Sequence, residues 1–460
     1  MSSPAALLPI NQVLRARHAL KRETFQTSRL LDFCSERELV KQIGHPVDRW
    51  PLVILKELLD NAIDAAEEVG TAPVIRVEVT DKAIVIFDNG PGIPAETISG
   101  ILNFSVRISS REAYCSPTRG AQGNALKTVV AMPFALDGTE GETLIESRGT
   151  AHRISFKVDQ VRQEPKITLI RDVSTVRKGT RITVGSFLQM AEDFGWLNPH
   201  LSLSVSWSGK RCIDYKASNL TWSKWCPSDP TSPHWYDEAR LRRLMGAYIA
   251  RDQDHGRDPR TVREFISEFR GLSGSAKQKL VLAEVGAARL LLSEFFGNGD
   301  RVNNDRIATL LAAMQRQSRA VKPEDLGLIG KDHLAARFKA AGADLQTFRY
   351  RRNFGETDGV PDVIETAFGW CPDGANERRI ITGVNWSPGI GSPFRSLGAY
   401  GKSLDSILTE QRSGPDEPIV FVLHLARPRI EFTDHGKTAV VIPGSCEEED
   451  ADYDDGGDDE

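Results

Sequence analysis

The sequence predicts an α+β protein: an α/β sandwich, then a helical insert, then a second α/β domain. Three observations carry this. Short alternating strands are interspersed with apolar helical stretches between residues 46 and 207. Helical periodicity then takes over from 237 to 283, and from Phe348 onward strand-like runs return. Period-two alternation marks half-buried strands, and a 3.6-residue recurrence of apolar positions marks helices with one buried face.

Taken in order, residues 1–45 read as an arm, polar and basic at first. The segment 35–43 has helical spacing, and Ser35 is placed to accept hydrogen bonds from the first turn. The helix bearing Glu57 and Asp64 follows. Alternation at 74–79 and 180–184, with the strand 84–87 running into Asp88, predicts one sheet covered on one face by helices that include 126–134. The clean alternation of 201–207 is expected to close that sheet. A Pro-, Ser- and Trp-rich link spans 219–232, and helices are predicted at 237–250, 260–269 and 276–283, with a glycine turn at 270–275. The apolar run 419–425 reads as a buried strand. These features divide the chain into 1–45, 46–232, 233–335, 336–445 and 446–460, with no internal repeat.

Composition bounds the function. At 460 residues with 40% hydrophobic content, two or three globular domains are expected. No run of eighteen apolar residues exists, and the N-terminus lacks a basic region leading into a long apolar stretch. The expectation is a cytoplasmic protein with no membrane partner. The cysteines at 34, 115, 212, 226, 371 and 446 form no Cys-x-x-Cys, so neither a zinc site nor a disulfide framework is expected. The net charge of −5 hides an asymmetry. Residues 447–460 hold ten acids and no base, which leaves 58 basic against 53 acidic residues in the remainder. This acidic tail is expected to be disordered. It serves either as a solubilising end or as a nucleic-acid mimic competing for basic surfaces.

The chemistry concentrates in three motifs. Glu57 and Asn61 stand four apart, hence on one face of a helix. The first can polarise a water and the second can hold a magnesium ion. Asp88-Asn-Gly-Pro-Gly92 follows a strand directly; Asp88 offers a carboxylate, and Gly90 and Gly92 let backbone approach a bound base. Gly120, Gln122, Gly123 and Asn124 then precede an apolar helix, in the arrangement of a lid closing over phosphates at a helix N-terminus. Lys127, in the first turn, either touches phosphate or is solvated. Each motif alone is an ordinary surface helix or turn. Their order and spacing together read as an ATP site that is not a P-loop.

At this point the residues resemble the ATPase module shared by gyrase, heat-shock chaperone, histidine kinase and MutL-type proteins, the GHKL or Bergerat fold. The resemblance implies that Glu57 is the general base and that Asn61 coordinates Mg²⁺. It further implies that Asp88 binds the adenine amino group with support from Gly179-Thr180. Asp64, Gly90, Gly92, Gly120, Gln122, Gly123, Asn124, Lys127 and Thr180 complete the expected nucleotide-contacting set. Later segments narrow the resemblance. These are 233–236, 261–266, 269–276, 322–330, 424–429 and 432–437, whose order is similar to the B subunit of type IIB topoisomerases, topoisomerase VI, over roughly residues 20–442. That implies a helix-two-turns-helix insert, a transducer domain and a switch lysine, for which Lys402 and Lys437 are candidates.

The expected function is ATP binding and hydrolysis in a topoisomerase-like complex. Two copies would self-associate on ATP and clamp duplex DNA, in the nucleoid, while a separate A-type subunit cleaves. Arg240, Arg242, Arg243, Arg270, Lys277 and Lys279 either form a DNA-facing surface or are solvated helix charges. After Lys437, Pro443 and the acidic tail stand where the family's long transducer helix is expected, so the bridge to an A-type subunit is expected to be short or missing. The alternative is an ATP-gated DNA clamp or scaffold in repair, defence or chromosome organisation without topoisomerase activity. A weaker third reading is a chaperone-like ATPase.

Overall fold

Two mixed sheets, with a helical stretch between them in sequence, organise the chain. A computed structural model describes residues 36–80, 84–102, 115–117, 119, 125–137, 141–159, 164–173, 180–183, 189–226, 228–254, 258–297, 302–372, 377–395, 397, 402–433 and 439–441. Residues 1–35 of the arm, Ser35 included, the glycine segment at 120–124, Lys437 and the acidic tail lie outside the described residues.

The first sheet is built from α1 (Glu36–Ile43), α2 (Trp50–Glu68), β1 (Val74–Val79), β2 (Ile84–Phe87), α3 (Ala95–Ile101), α4 (Ala125–Asp137), β3 (Gly141–Ser147), β4 (Thr150–Asp159), β5 (Glu164–Val173), β6 (Thr180–Thr183), α5 (Gln189–Leu197), β7 (Ser202–Trp207) and β8 (Lys210–Tyr215). Its eight strands run in the order β5-β4-β3-β6-β2-β1-β7-β8, antiparallel except for the β1–β7 pair. Helix α2 begins with Pro51 in its first turn, where a missing N–H costs nothing. It ends where Gly70 takes a left-handed φ of 68° and its N–H bonds to the Glu67 carbonyl. Leu55, Leu59 and Ile63 of α2, Val129 and Met132 of α4, and Val77 and Ile86 of the sheet share one core.

The strand 202–207 does not close this sheet, contrary to the alternation-based expectation. Beyond it, Ser208 and Gly209 turn the chain back at φ of 47° and 79°, and β8 forms the edge. The meander β3-β4-β5 was likewise absent from the strands read off the sequence.

The helical stretch comprises α6 (Glu238–Asp254), α7 (Val262–Ser267), α8 (Ser275–Glu284), α9 (Leu292–Phe296), α10 (Asn304–Gln317) and α11 (Lys331–Ala340). A capping box starts α7: Thr261 accepts from the Glu264 N–H at 3.2 Å, and the Glu264 carboxylate accepts from the Thr261 N–H at 2.7 Å. The turn before α8 is held by buried Gln278, whose amide donates to the Leu272 and Ser273 carbonyls, each at 3.0 Å. Because α11 runs to Ala340, the helical stretch extends past the 335/336 boundary read from the sequence.

The second sheet contains β9 (Arg349–Thr357), β10 (Val360–Trp370), β11 (Arg379–Val384), β12 (Ser387–Pro388), then α12 (Leu404–Glu410) and β13 (Ile419–Ala426), in the order β12-β11-β13-β10-β9. Strand β13 is buried at seven of its eight positions, as its continuous apolar run implies for a central strand. One face of this sheet shares a core with the helical stretch through Val363, Ile381 and Val422. The other packs Leu423 and Leu425 against Leu404 and Leu408 of α12.

Among the described residues, four two-residue hairpins have both central residues at positive φ: Arg148-Gly149, Ser208-Gly209, Asp358-Gly359 and Asn385-Trp386. Such turns favour glycine because a side chain there crowds the backbone, at about 1–2 kcal/mol for a non-glycine residue. Three carry glycine second. The fourth carries Trp386, at φ 63° and fully buried.

Candidate functional site

Helix α2 is the centre of the site. Glu57 is half-buried and Asn61 exposed on one face. The Asn61 amide nitrogen donates to the Glu57 carbonyl at 2.7 Å. That bond fixes which end of the amide is nitrogen and leaves its oxygen as the atom for a hard cation. One protein oxygen completed by water and phosphate suits Mg²⁺, so the side chain fits the ion that the motif implies. Among the described residues no cluster of three or more His, Cys, Asp or Glu forms a separate metal site.

The turn after β2 folds back onto the same helix. Asp88 accepts the Gly90 N–H at 2.8 Å, closing a local ring. A Cβ on Gly90 would lie 2.9 Å from the Asp88 carboxylate and 3.1 Å from the Ala65 methyl of α2, so only glycine brings the turn this close. Asn89 clamps the strand start by accepting from the Val74 N–H at 2.9 Å and donating to the Ala72 carbonyl at 3.0 Å. Gly92 has φ 75°, and the next N–H, of Ile93, bonds the Ser147 hydroxyl at 2.8 Å. Thr180 of β6 stands opposite Ser147 in the ladder. The turn thus packs on α2 at Ala65 and bonds Ser147, whose ladder partner is Thr180.

The remaining candidates divide. Lys127 is 1% exposed, and burial lowers its pKa, which removes the solvated alternative. Lys402 is exposed and its ammonium is held by Glu410 at 2.8 and 2.9 Å. Asp64 is buried and ion-paired with Arg119 at 2.7 Å. Gly120, Gln122, Gly123, Asn124 and Lys437 are outside the described residues. Of the basic residues considered for DNA, Arg240 pairs with Asp237 and Glu431, and Arg270 pairs with Asp325 while stacking on Trp225. Arg242, Arg243, Lys277 and Lys279 are exposed.

A second face of α2, which the sequence reading passed over, is an acidic stripe in the interior. Asp60, Asp64 and Glu67 recur at helical spacing and are all buried. Lys56 holds Asp60 at 2.8 Å, and the Ser387 hydroxyl donates to the same oxygen at 2.8 Å. Arg119, with no exposed side-chain surface, bonds Asp64 at 2.7 Å, both oxygens of Glu67 at 2.8 Å, and the Asn198 amide oxygen at 2.5 Å. Lys224 and His200 also reach Glu67, each at 2.9 Å. Burial disfavours the Glu67 carboxylate, but Arg119 and Lys224 outweigh it and hold its pKa well below the ordinary range. Burial lowers His200 despite Glu67, consistent with a neutral ring donating Nε2–H to the carboxylate. Burial pushes the Asp60 carboxyl up, against the pull of Lys56. The legible signal was the helical spacing of Asp60, Asp64 and Glu67, which sets them on a face apart from Glu57 and Asn61.

Residues 48–188 match the family described as Histidine kinase-, DNA gyrase B-, and HSP90-like ATPase. The B subunit of type 2 DNA topoisomerase 6 from Natronomonas pharaonis is 32% identical over 171 residues, which are 35% of this chain and 21% of that relative. The protein of the same name from Archaeoglobus fulgidus is 23% identical over 86% of this chain and 68% of its own length. That from Thermococcus onnurineus is 28% identical over 80% and 69%. The chain thus spans only 21% of the first of these relatives, and 68–69% of the other two. The motifs on α2 and at Asp88–Gly92 fall within the matched stretch, so the chain contains a GHKL-type ATPase domain and is similar to the B subunits of type 2 DNA topoisomerase 6.

Proposed function

We propose that the chain binds and hydrolyses ATP, and that it does so as the ATPase subunit of a type IIB topoisomerase-like complex. The observation that supports hydrolysis is the presentation of Glu57 and Asn61 on one face of α2, with the Asp88–Gly92 turn packed against the same helix at Ala65. In this reading Glu57 takes the proton from the attacking water, which requires a base within hydrogen-bond reach of it. Asn61 would hold Mg²⁺ through its amide oxygen, and the bound ion would offset phosphate charge. Asp88 accepts from the exocyclic amine of the base, and Gly90 gives the base room. Buried Lys127, beside the glycine segment, is the candidate cation for the phosphates.

At the level of the assembly, the relatives' shared name supports a DNA-directed role. Two copies dimerise on ATP, enclose duplex DNA, and reopen after hydrolysis, with strand cleavage in a separate A-type subunit. Lys402 and Lys437 remain the candidates for a lysine that senses the γ-phosphate.

The test is direct. Glu57→Ala should bind ATP with near-normal affinity and lose at least about a hundredfold in turnover, the low end of what general base catalysis contributes. Asn61→Ala should lose Mg·ATP binding itself. Turnover from the Glu57 variant at the normal rate would remove Glu57 as the base. Sedimentation with and without a non-hydrolysable analogue checks the dimer, which should appear only with nucleotide. Affinity purification in the presence of analogue checks the complex. Recovery of an A-type subunit in equal amount supports strand passage, whereas recovery of the chain alone, or of repair or chromosome proteins, supports the clamp without topoisomerase activity.

A further inference from the structure

The hairpin between β11 and β12 reaches from the second sheet to α2 at two successive helical turns. Ser387 donates directly to Asp60 at 2.8 Å. The Trp386 carbonyl accepts from Asn198 Nδ2 at 3.0 Å, and the oxygen of that amide accepts from Arg119, which binds Asp64. Asp60 and Asp64 lie three residues beyond Glu57 and Asn61, hence about 60° around the same helix. The two faces therefore share their turns: one presents the hydrolytic pair, and the other is held from the second sheet.

The hairpin is braced for such a task. The Asn385 N–H bonds the Leu425 carbonyl at 2.8 Å, its amide exchanges two bonds with the Arg427 backbone, and the Trp386 N–H donates to His424 Nε2 at 3.1 Å. Strand β13 and its continuation thus grip both central residues. Trp386 persists in a left-handed conformation where the three sister hairpins use glycine. Strain kept in place by surrounding bonds points to a role for the tip. The Trp386 ring is enclosed by Trp222 at 5.9 Å, His424 at 5.2 Å and the Lys224 ammonium at 5.2 Å. Lys224 in turn binds Glu67, on the same stripe.

We propose that Ser387 is a positioning residue: by bonding Asp60 it sets the turn of α2 that carries Glu57 and Asn61, so the second sheet controls hydrolysis rather than nucleotide affinity. The inference rests on the ATP site proposed above. Both ends of the bond are buried, and removing the hydroxyl leaves that Asp60 oxygen with Lys56, on the helix itself. A displacement of the β13 end would reach the hydrolytic face through this contact.

The experiment uses the full chain as wild type, Ser387→Ala and Ser387→Thr. Two readouts are taken: steady-state ATP turnover with direct binding of a fluorescent ATP analogue, and hydrogen exchange of the α2 amides around Glu57 and Asn61. Ser387→Ala should lower kcat roughly tenfold while leaving analogue affinity within about twofold, and should speed exchange in those amides. Ser387→Thr, which keeps the hydroxyl, should restore both. Unchanged turnover and unchanged exchange in Ser387→Ala would overturn the proposal, as would equal losses in the Ala and Thr variants. If Ser387→Ala fails to fold, the Thr variant decides: wild-type kcat supports the hydroxyl's role, and loss of kcat overturns it. Wild-type protein that binds no nucleotide would instead remove the ATP site, and the exchange readout would still decide whether Ser387 holds the helix.

Discussion

Replacing Arg119 by methionine should destabilise the protein more than any surface change. Its guanidinium is completely enclosed and donates to four oxygens on three residues, with Asp64 and Glu67 side chains only 3% and 5% exposed. Removing one member of a buried ion pair costs about 3–5 kcal/mol, because the surviving charge stays in a poorly solvated place. Glu67 keeps Lys224 and His200, so the expected loss lies near the lower figure, about 3 kcal/mol. Asp64 loses its 2.7 Å ion pair with Arg119. Adding Asp64→Asn to the methionine variant should therefore recover about 1 kcal/mol or more, a coupling within the usual range for residues in contact. Urea unfolding followed by tryptophan fluorescence reads both, since Trp50 of α2 is fully buried. A loss under about 1 kcal/mol, or a double variant no better than the single one, would refute the view that Arg119 neutralises the stripe. Lysine should not rescue the site, because an ammonium cannot bind both oxygens of Glu67 while reaching Asp64 and Asn198.

Three further outcomes follow from particular contacts. Burial brings the His333 pKa down to about 4, and its ring is satisfied when neutral: Nε2–H donates to the Trp196 carbonyl at 3.0 Å while Nδ1 accepts from Ser218 at 2.5 Å. The folded state thus binds fewer protons than the unfolded state between pH 6.5 and 4, so stability is intact above 6.5 and falls by up to roughly 3 kcal/mol on acidification through that window; an equal acid sensitivity in His333→Asn would count against it. Gly90→Ala should cost about 1–3 kcal/mol and weaken ATP binding, since the new methyl meets Asp88 and Ala65 at 2.9 and 3.1 Å; calorimetric titration with an ATP analogue would expose an error by returning wild-type affinity. Trp386→Gly should relieve about 1–2 kcal/mol of backbone strain yet lose about 3–5 kcal/mol of side-chain burial, a net destabilisation seen in the unfolding midpoint; a more stable variant would mean that the ring contributes little.

Much of this architecture was legible because local physics agreed with the final packing. Strand β1 alternates, β2 is an apolar run, β13 is apolar but for His424, and Thr261 and Glu264 stand at capping-box spacing before the apolar face of α7. The candidate site's local geometry was legible for a similar reason: Glu57 and Asn61 are neighbours on a helix, and Asp88 bonds two residues onward. What escaped was non-local. Strand β8 is mostly polar and exposed, and was hidden behind the Ser208-Gly209 turn, although that dipeptide is a fair hairpin signal. The β11–β12 turn gave no such signal, because Asn-Trp is not a pair that favours two left-handed residues. Arg119 could not be assigned from sequence, since its partners stand 52 to 79 positions away and only folding reveals that they are buried together.

The grip on α2 also bears on the order in which the chain can mature. Asp60 leaves the ribosome 327 residues ahead of Ser387, its most distant partner. Until then the helix can assemble with its own sheet, its acidic stripe answered by Lys56 and later by Arg119, His200 and Lys224, but Asp60 lacks its serine donor. Contacts of such long sequence separation form late and slow the final step of folding. A nascent chain halted before β12 would leave Asp60 without its serine donor and Asn198 without the Trp386 carbonyl, which makes the synthesis of this hairpin a point at which assistance by a chaperone should matter.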